Sequence, residues 1–174
     1  WWDHFCRIYA ALVPIADATR TKLAMHPSDV PMPDTPFGGL GYHRIIDAFP
    51  SSQVGYLYCC GTRAEAGGLP LVLDEVHNYG RKGRIFMVHF RNVRASLATA
   101  QGYEEVALDD GDMNMFKILQ ELQRVGFDGC INPDHMPIVE GDWAENMNPS
   151  SKQVAHQALA YAIGYIKALL TALS

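Results

Sequence analysis

The segment Val54-Gly55-Tyr56-Leu57-Tyr58-Cys59 is an almost uninterrupted run of apolar and aromatic residues that ends at a cysteine. A run of this kind, without polar alternation, is typical of a parallel strand that is covered on both faces. Three further runs share this character, at residues 22–26, 85–90 and 129–134. The sequence therefore predicts four parallel strands.

Helical patterns lie before, between and after these runs. Pro14 is expected to kink or divide the first helix, because proline removes a backbone donor. Asp112 is predicted to cap the start of one helix, and Gly80 and Gly126 to cap the ends of two. Strands alternating with helices predict an α/β fold with a parallel sheet and right-handed crossovers. The predicted helices cover residues 5–16, 42–49, 69–79, 113–125 and 152–173, and a short extra strand is predicted within 104–108.

Composition limits the classes of protein to which the chain can belong. Of its 174 residues, 48% are hydrophobic and 19% are charged, which excludes disordered and fibrous proteins and predicts one packed domain. The net charge of −5 and the lack of a basic cluster argue against a nucleic-acid partner. The apolar stretch 154–173 contains His156 and Lys167 and is predicted to be a buried helix rather than a membrane span. Four cysteines without CxxC spacing, together with a start unlike a secretory signal, predict a cytoplasmic protein.

Each predicted strand ends at a side chain that can bind a metal: His26, Cys59, His89 and Asp134. The carboxyl ends of parallel strands meet at one edge of the sheet, so these four side chains are expected to be neighbours. Nitrogen, sulfur and oxygen donors together suit a divalent transition metal, and this set alone slightly favours zinc over iron(II), cobalt or manganese. Any one of these residues has an ordinary structural alternative, a polar contact or core packing. Their coincidence at all four strand ends favours a metal site.

Two residues beside the ligands are candidates for contact with substrate. Arg91 can hold a carboxylate through two parallel hydrogen bonds, although an arginine in a long surface loop is equally consistent with the sequence. His135 directly follows Asp134 and is predicted to act as a general acid or base. The paired glycines at 38–39 and 67–68 match no phosphate-binding motif, so no nucleotide cofactor is indicated. The other histidines fall on predicted helices and are interpreted as structural: His4, His43, His77 and His156.

Seven segments, in the same order along nearly the whole chain, resemble the mannonate dehydratase family. They are residues 23–29, 55–62, 88–92, 105–114, 125–129, 133–135 and 162–165. The resemblance implies a xylose isomerase-like TIM (β/α) barrel. It also implies manganese, or else iron(II), cobalt or zinc, held by the four strand-end ligands, and it assigns acid and base chemistry to His135.

The reaction implied by the resemblance is the removal of water from D-mannonate to give 2-keto-3-deoxy-D-gluconate, a lyase step of glucuronate catabolism. The substrate would be a small sugar acid, and the full-length form would be a cytoplasmic homo-oligomer. The sequence departs from the family pattern at Asn132, where family members have arginine, and at 148–151, where a tyrosine is missing. These departures imply another proton-transfer group or a somewhat different sugar acid.

The number of βα units sets the domain organisation. A closed eight-stranded barrel takes about 250 residues, whereas only four βα units are predicted here. Residues 1–174 are therefore predicted to be a single domain from the C-terminal portion of a (β/α)8 barrel, which alone is unstable or assembles. Two other interpretations stay open: a sugar isomerase or epimerase of the same superfamily, and a non-catalytic metal-binding fragment.

Overall fold

The computed structural model describes residues 1–28, 39–134, 136–137, 139 and 156–173. Within these residues the strands are β1 (Leu23–Met25), β2 (Val54–Cys59), β3 (Ile85–His89), β4 (Asn92–Arg94), β5 (Glu104–Val106) and β6 (Cys130–Asn132). The helices are α1 (Trp2–Thr19), α2 (Gly39–Ala48), α3 (Cys60–Gly80), α4 (Leu97–Ala100), α5 (Met115–Arg124) and α6 (His156–Leu173).

The four predicted strands form one sheet in the order β1-β2-β3-β6, and every neighbouring pair is parallel. This confirms the predicted α/β class and the alternation of strands with helices. In the register of the sheet, Cys59 lies opposite His89, and His89 lies opposite Asn132. The sheet therefore aligns the ends of β2, β3 and β6.

One face of the sheet packs against helices. Tyr56 on β2 donates a hydrogen bond to the carbonyl of Tyr42 on α2 at 2.7 Å, and Tyr58 donates to Glu75 on α3 at 2.8 Å. The other face, which we call the open face, consists of Ala24, Leu57, Met87 and Cys130. Ala24 and Cys130 are exposed, and Leu57 and Met87 are half-buried. Alternation along the strands places Cys59 and His89 on the same side as this open face.

The predicted extra strand is confirmed as β5, which pairs in antiparallel fashion with β4. The sequence pattern does not predict β4, because its three residues have a polar or charged side chain at each end and form no apolar run. Buried Asn92 holds this connection in place, since its side-chain amide donates to the carbonyls of Leu108 and Met113 at 2.8 and 3.2 Å. The long connection after β3 is thereby held as a defined two-stranded structure.

Two predictions about helix ends are wrong, and the division of the first helix at Pro14, one of the two expected effects of that proline, is not observed. Pro14 lies inside α1, which runs from Trp2 to Thr19 without division. Asn114, not Asp112, caps α5 by accepting a hydrogen bond from the backbone of Lys117. Gly80 does not cap α3 in a left-handed conformation: it is the last helical residue and its φ is not positive, and the cap residue is Arg81, with φ −61°. Gly80 has a packing role instead, since a Cβ there would lie 2.4 Å from Cγ2 of Val125.

Helix α3 begins immediately after β2, nine residues earlier than the predicted start at 69. The sequence pattern hides this first part, because the glycine pair at 67–68 is interpreted as a turn. Gly68 does interrupt the helix, with φ 65° and ψ −166°. The predicted cap at Gly126, after the end of α5, agrees with the φ of 75° at that residue. Of the predicted last helix, residues 152–155 lie outside the described residues.

A buried ion pair bridges the two parts of α3. Arg63 donates to both carboxylate oxygens of Glu75, at 2.7 and 2.8 Å, and both side chains are almost fully buried. His43 lies 3.1 Å from the same carboxylate. Burial raises the pKa of Glu75, but hydrogen bonds from His43, Arg63 and Tyr58 outweigh it and lower the pKa below its ordinary value.

This lowered pKa predicts how stability depends on acid. A group whose pKa is depressed on folding contributes stability above its unfolded pKa and loses it as pH falls through the folded pKa. The difference in unfolding free energy between wild type and Glu75→Gln should therefore be largest near neutral pH and shrink below the ordinary carboxyl value of 4.5. Urea unfolding between neutral pH and about pH 3 measures it. Glu104→Gln, at an exposed position, is the control, and equal pH profiles for the two variants would contradict the prediction.

None of the helices within the described residues is long and apolar enough to cross a membrane.

Candidate metal centre

Three of the four predicted ligands converge at the carboxyl ends of neighbouring strands. His26 directly follows β1, Cys59 ends β2 and His89 ends β3. One ligand atom from each of these side chains can be chosen such that all three lie within 4.8 Å of one another. The two imidazole rings are 5.2 Å apart between centroids. Side chains from three strands thus form a compact group with two nitrogen donors and one sulfur donor.

The fourth predicted ligand, Asp134, lies beside this group. Its Oδ2 is 3.3 Å from Nδ1 of His89, an ion-pair distance. Asp134 has a φ of 65°, the left-handed region that non-glycine residues adopt rarely and that is common at functional sites. The side-chain oxygen of Asn132 accepts a hydrogen bond from the Asp134 backbone at 3.3 Å. This contact supports the turn that places the carboxylate near His89.

The orientation of His26 is set by the residue that follows it. Nδ1 of His26 lies 2.5 Å from the carbonyl oxygen of Pro27. A carbonyl oxygen only accepts, so Nδ1 is the donor, and the lone pair of the neutral ring lies on Nε2. Ring nitrogens that ligate metals are commonly fixed by a hydrogen bond on the opposite nitrogen in this way.

Cys59 is buried and has an acidic thiol. Burial raises its pKa, but hydrogen bonds from His26, His89 and Thr62 lower it to about 6. The residue also precedes the first turn of α3, where the helix dipole favours a thiolate. The thiolate is the form that binds metals, so this sulfur has the ionisation state that a metal ligand requires.

The two histidines balance the charge of the thiolate. Burial lowers the pKa of His89, but Asp134 and Cys59 raise it to about 9. The pKa of His26 is raised chiefly by its hydrogen bond to Cys59. The protons on the two imidazole rings therefore occupy positions that a divalent cation can take. With the nearby carboxylate of Asp134, the nitrogen, sulfur and oxygen donors fit zinc, manganese, iron(II) or cobalt.

Arg91 lies next to the cluster, but its described ion-pair partners are protein carboxylates. It is almost fully buried, and its guanidinium contacts Glu65 at 2.7 Å and Glu105 at 2.6 to 2.8 Å. Gly61 gives it room, because a Cβ at that position would lie 2.7 Å from Cδ of Arg91. The alternative of a surface arginine is therefore wrong, whereas its predicted contact with a substrate carboxylate stays a prediction.

The sequence pattern missed Thr62, Glu65 and Glu105 as neighbours of the site. Thr62 and Glu65 lie three and six residues after Cys59, a spacing that places them near one side of a helix. A predicted helix that begins at Cys60 instead of residue 69 would reveal this spacing. Glu105 comes from β5, and no local pattern links it to Arg91.

Of the remaining predicted residues, His135 lies outside the described residues. The histidines interpreted as structural all lie on helices, His4 on α1, His43 on α2, His77 on α3 and His156 on α6. Two of them contact carboxylates away from the cluster: His43 contacts Glu75, and His77 contacts Glu121 at 2.8 Å.

Comparisons with known proteins agree with this picture. A family model described as D-mannonate dehydratase (UxuA) matches residues 1–174. Mannonate dehydratase 2 of Halalkalibacterium halodurans is 29% identical over 157 residues, which are 85% of this chain and 43% of that protein. Mannonate dehydratase of Streptococcus uberis is 26% identical over 155 residues, again 85% of this chain and 43% of the relative. The chain thus spans less than half the length of these curated relatives.

Two solved structures share the fold. The crystal structure of mannonate dehydratase from Streptococcus suis serotype 2 matches with a TM-score of 0.72 and 24% identity, over 99% of this chain and 50% of that one. A D-tagatose 3-epimerase-like protein matches with a TM-score of 0.64 and 16% identity, over 98% of this chain and 54% of that one. The described fold corresponds to about half of each of these chains.

Proposed function

Because the chain belongs to the mannonate dehydratase family, we propose that it carries the metal-binding part of a hydro-lyase that converts D-mannonate to 2-keto-3-deoxy-D-gluconate and water. The observation that carries the proposal is the convergence of His26, Cys59 and His89 from three strands in a chain that matches the family along its whole length.

The sheet is proposed to form half of a closed eight-stranded barrel, with residues 1–174 as a single domain from its C-terminal portion. Its four strands are parallel and in sequence order, as in a barrel. The exposure of Ala24 and Cys130 on the open face fits a surface that four further βα units would cover. The curated relatives, of which the chain covers 43%, have the length that such a barrel needs.

His26, Cys59, His89 and Asp134 would hold the divalent metal, with manganese as the proposed ion. When bound, the metal supplies Lewis acidity toward a carboxylate and neighbouring hydroxyl of a sugar acid. The hydrogen bond from His26 to Pro27 keeps one ring nitrogen aimed away from the ligand position. Asp134 contacts His89 and so holds that ring in place.

Dehydration removes a proton from C2 and the hydroxyl from C3, and the resulting enol tautomerises to the 2-keto acid. His135, which follows Asp134 directly, is proposed to give a proton to the departing C3 hydroxyl. Arg91 is proposed to attract the substrate carboxylate, and its contacts with Glu65 and Glu105 fix its position at the site. The full-length protein is proposed to act as a cytoplasmic homo-oligomer in glucuronate catabolism.

The direct test uses the intact protein, stripped of metal by a chelator and then given manganese and D-mannonate. We expect 2-keto acid to form only after manganese is restored. Failure of every divalent metal to support turnover would contradict the proposal. NMR of the product separates a dehydratase from a sugar isomerase or epimerase, because only dehydration removes a hydroxyl group.

A further inference from the structure

The first turn of α3 carries a hydroxyl that reaches the Cys59 sulfur. Thr62 is fully buried, and its Oγ1 lies 3.2 Å from Sγ of Cys59, to which it donates a hydrogen bond. Cys59 ends β2, and α3 starts at the next residue, so three residues of helix bring the hydroxyl back over the sulfur. The contact is therefore built into the junction between strand and helix.

A second contact sets the direction of this hydrogen bond. Nη1 of Arg91 lies 3.4 Å from Oγ1 of Thr62. A guanidinium only donates, so the Thr62 oxygen accepts from Arg91 and directs its own proton elsewhere. The sulfur of Cys59 is the described acceptor for that proton. Arg91 thus orients the hydroxyl as a donor toward the ligand sulfur.

The position of Arg91 is itself fixed on several sides. The buried carboxylate of Glu65 lies 2.7 Å from Nη1, and Glu105 accepts from Nε at 2.7 and 2.8 Å. Gly61 leaves the space through which the Arg91 side chain passes. A guanidinium held in this way cannot rotate to release Thr62 without breaking buried ion pairs.

We propose that Thr62 is a positioning residue of the metal centre, whose hydroxyl, oriented by Arg91, donates to the Cys59 sulfur and reduces the electron density that this sulfur gives to a bound divalent metal. The inference rests on the proposed function, because it requires that Cys59 binds a metal. A weaker thiolate donor leaves a metal more electrophilic toward an anionic sugar acid, and outer hydrogen bonds to ligands commonly tune metal sites in this way.

Cobalt(II) is the probe, because a thiolate bound to cobalt gives a near-ultraviolet charge-transfer band that reports the donor strength of the sulfur. Thr62→Val, which keeps the side-chain shape and removes the hydroxyl, would make the sulfur a stronger donor and should shift this band to longer wavelength. Thr62→Ser, which restores the hydroxyl, should return the band toward its wild-type position. Thr19→Val, at an exposed threonine in α1, should leave band and affinity unchanged.

The outcomes separate this inference from the proposed function. If the wild-type protein binds no cobalt or shows no thiolate band, the proposed metal centre is wrong, and the proposed role of Thr62 is then wrong as well. If the wild type shows the band and Thr62→Val leaves its wavelength in place, the metal centre stands and the role of Thr62 is overturned. A loss of thermal stability in Thr62→Val without a spectral shift likewise overturns the inference in favour of simple packing.

Discussion

Replacing Cys59 with serine is expected to lower the affinity for divalent metal by more than about 100-fold, the upper range for loss of an outer contact, and to remove the proposed dehydratase activity. The sulfur lies at the centre of the cluster, and both histidines and Thr62 direct hydrogen bonds to it. A serine hydroxyl stays protonated at neutral pH, so two imidazoles would face a neutral oxygen instead of a thiolate. Calorimetric titration with manganese and zinc measures the loss.

Cys130→Ser is the matched control for this experiment. Cys130 lies on β6, directly opposite Met87 in the sheet, and its side chain is exposed. The same chemical change there should leave metal affinity at the wild-type value. Similar losses in the two variants would show that thiols matter through folding rather than through ligation, and the predicted metal centre would then be wrong.

Replacing Arg63 with methionine is expected to destabilise the protein by about 3–5 kcal/mol, because it leaves a charge buried without its partner. The Glu75 carboxylate is completely buried, and Arg63 supplies two of its hydrogen bonds. Tyr58 would still donate to it at 2.8 Å, but a neutral hydroxyl does not replace a cation. Urea unfolding at neutral pH gives the change in free energy.

Arg94→Met provides the comparison, because Arg94 also forms ion pairs, with the carboxylates of Glu104 and Asp110. Its side chain is 42% exposed, so water replaces the lost contacts and the unfolding midpoint should not move. If Arg63→Met were no more destabilising than Arg94→Met, the buried pair would not contribute to stability in the way proposed.

The sequence alone predicts the four-stranded sheet and the meeting of His26, Cys59 and His89 at one edge of it, for a local reason. A buried parallel strand is an apolar run, and its carboxyl end is where a polar side chain such as Cys59 or His89 interrupts that run. Both signals occupy a few consecutive residues, so no tertiary information is needed to find them. The same reasoning places Asp134 after β6, beside His89, as the structure shows.

What the sequence does not reveal depends on residues that are far apart. The partners of Arg91 come from α3 and β5, which no local pattern connects. Gly80 is the residue type expected at a helix cap, but its role is set by close packing against Val125 at the end of α5. The contact of Thr62 with Cys59 is local, yet it was hidden because a glycine pair made the first half of α3 resemble a turn.

That glycine pair also limits which substitutions α3 tolerates. With φ 65° and ψ −166°, Gly68 has a backbone conformation that is essentially restricted to glycine. It separates the turn that carries Thr62 from the part of α3 that packs on α5. The buried pair of Arg63 and Glu75 joins the two parts across this break, so a change in how the second part packs is transmitted to the turn beside Cys59. Any side chain at position 68 would strain the backbone that connects these two parts.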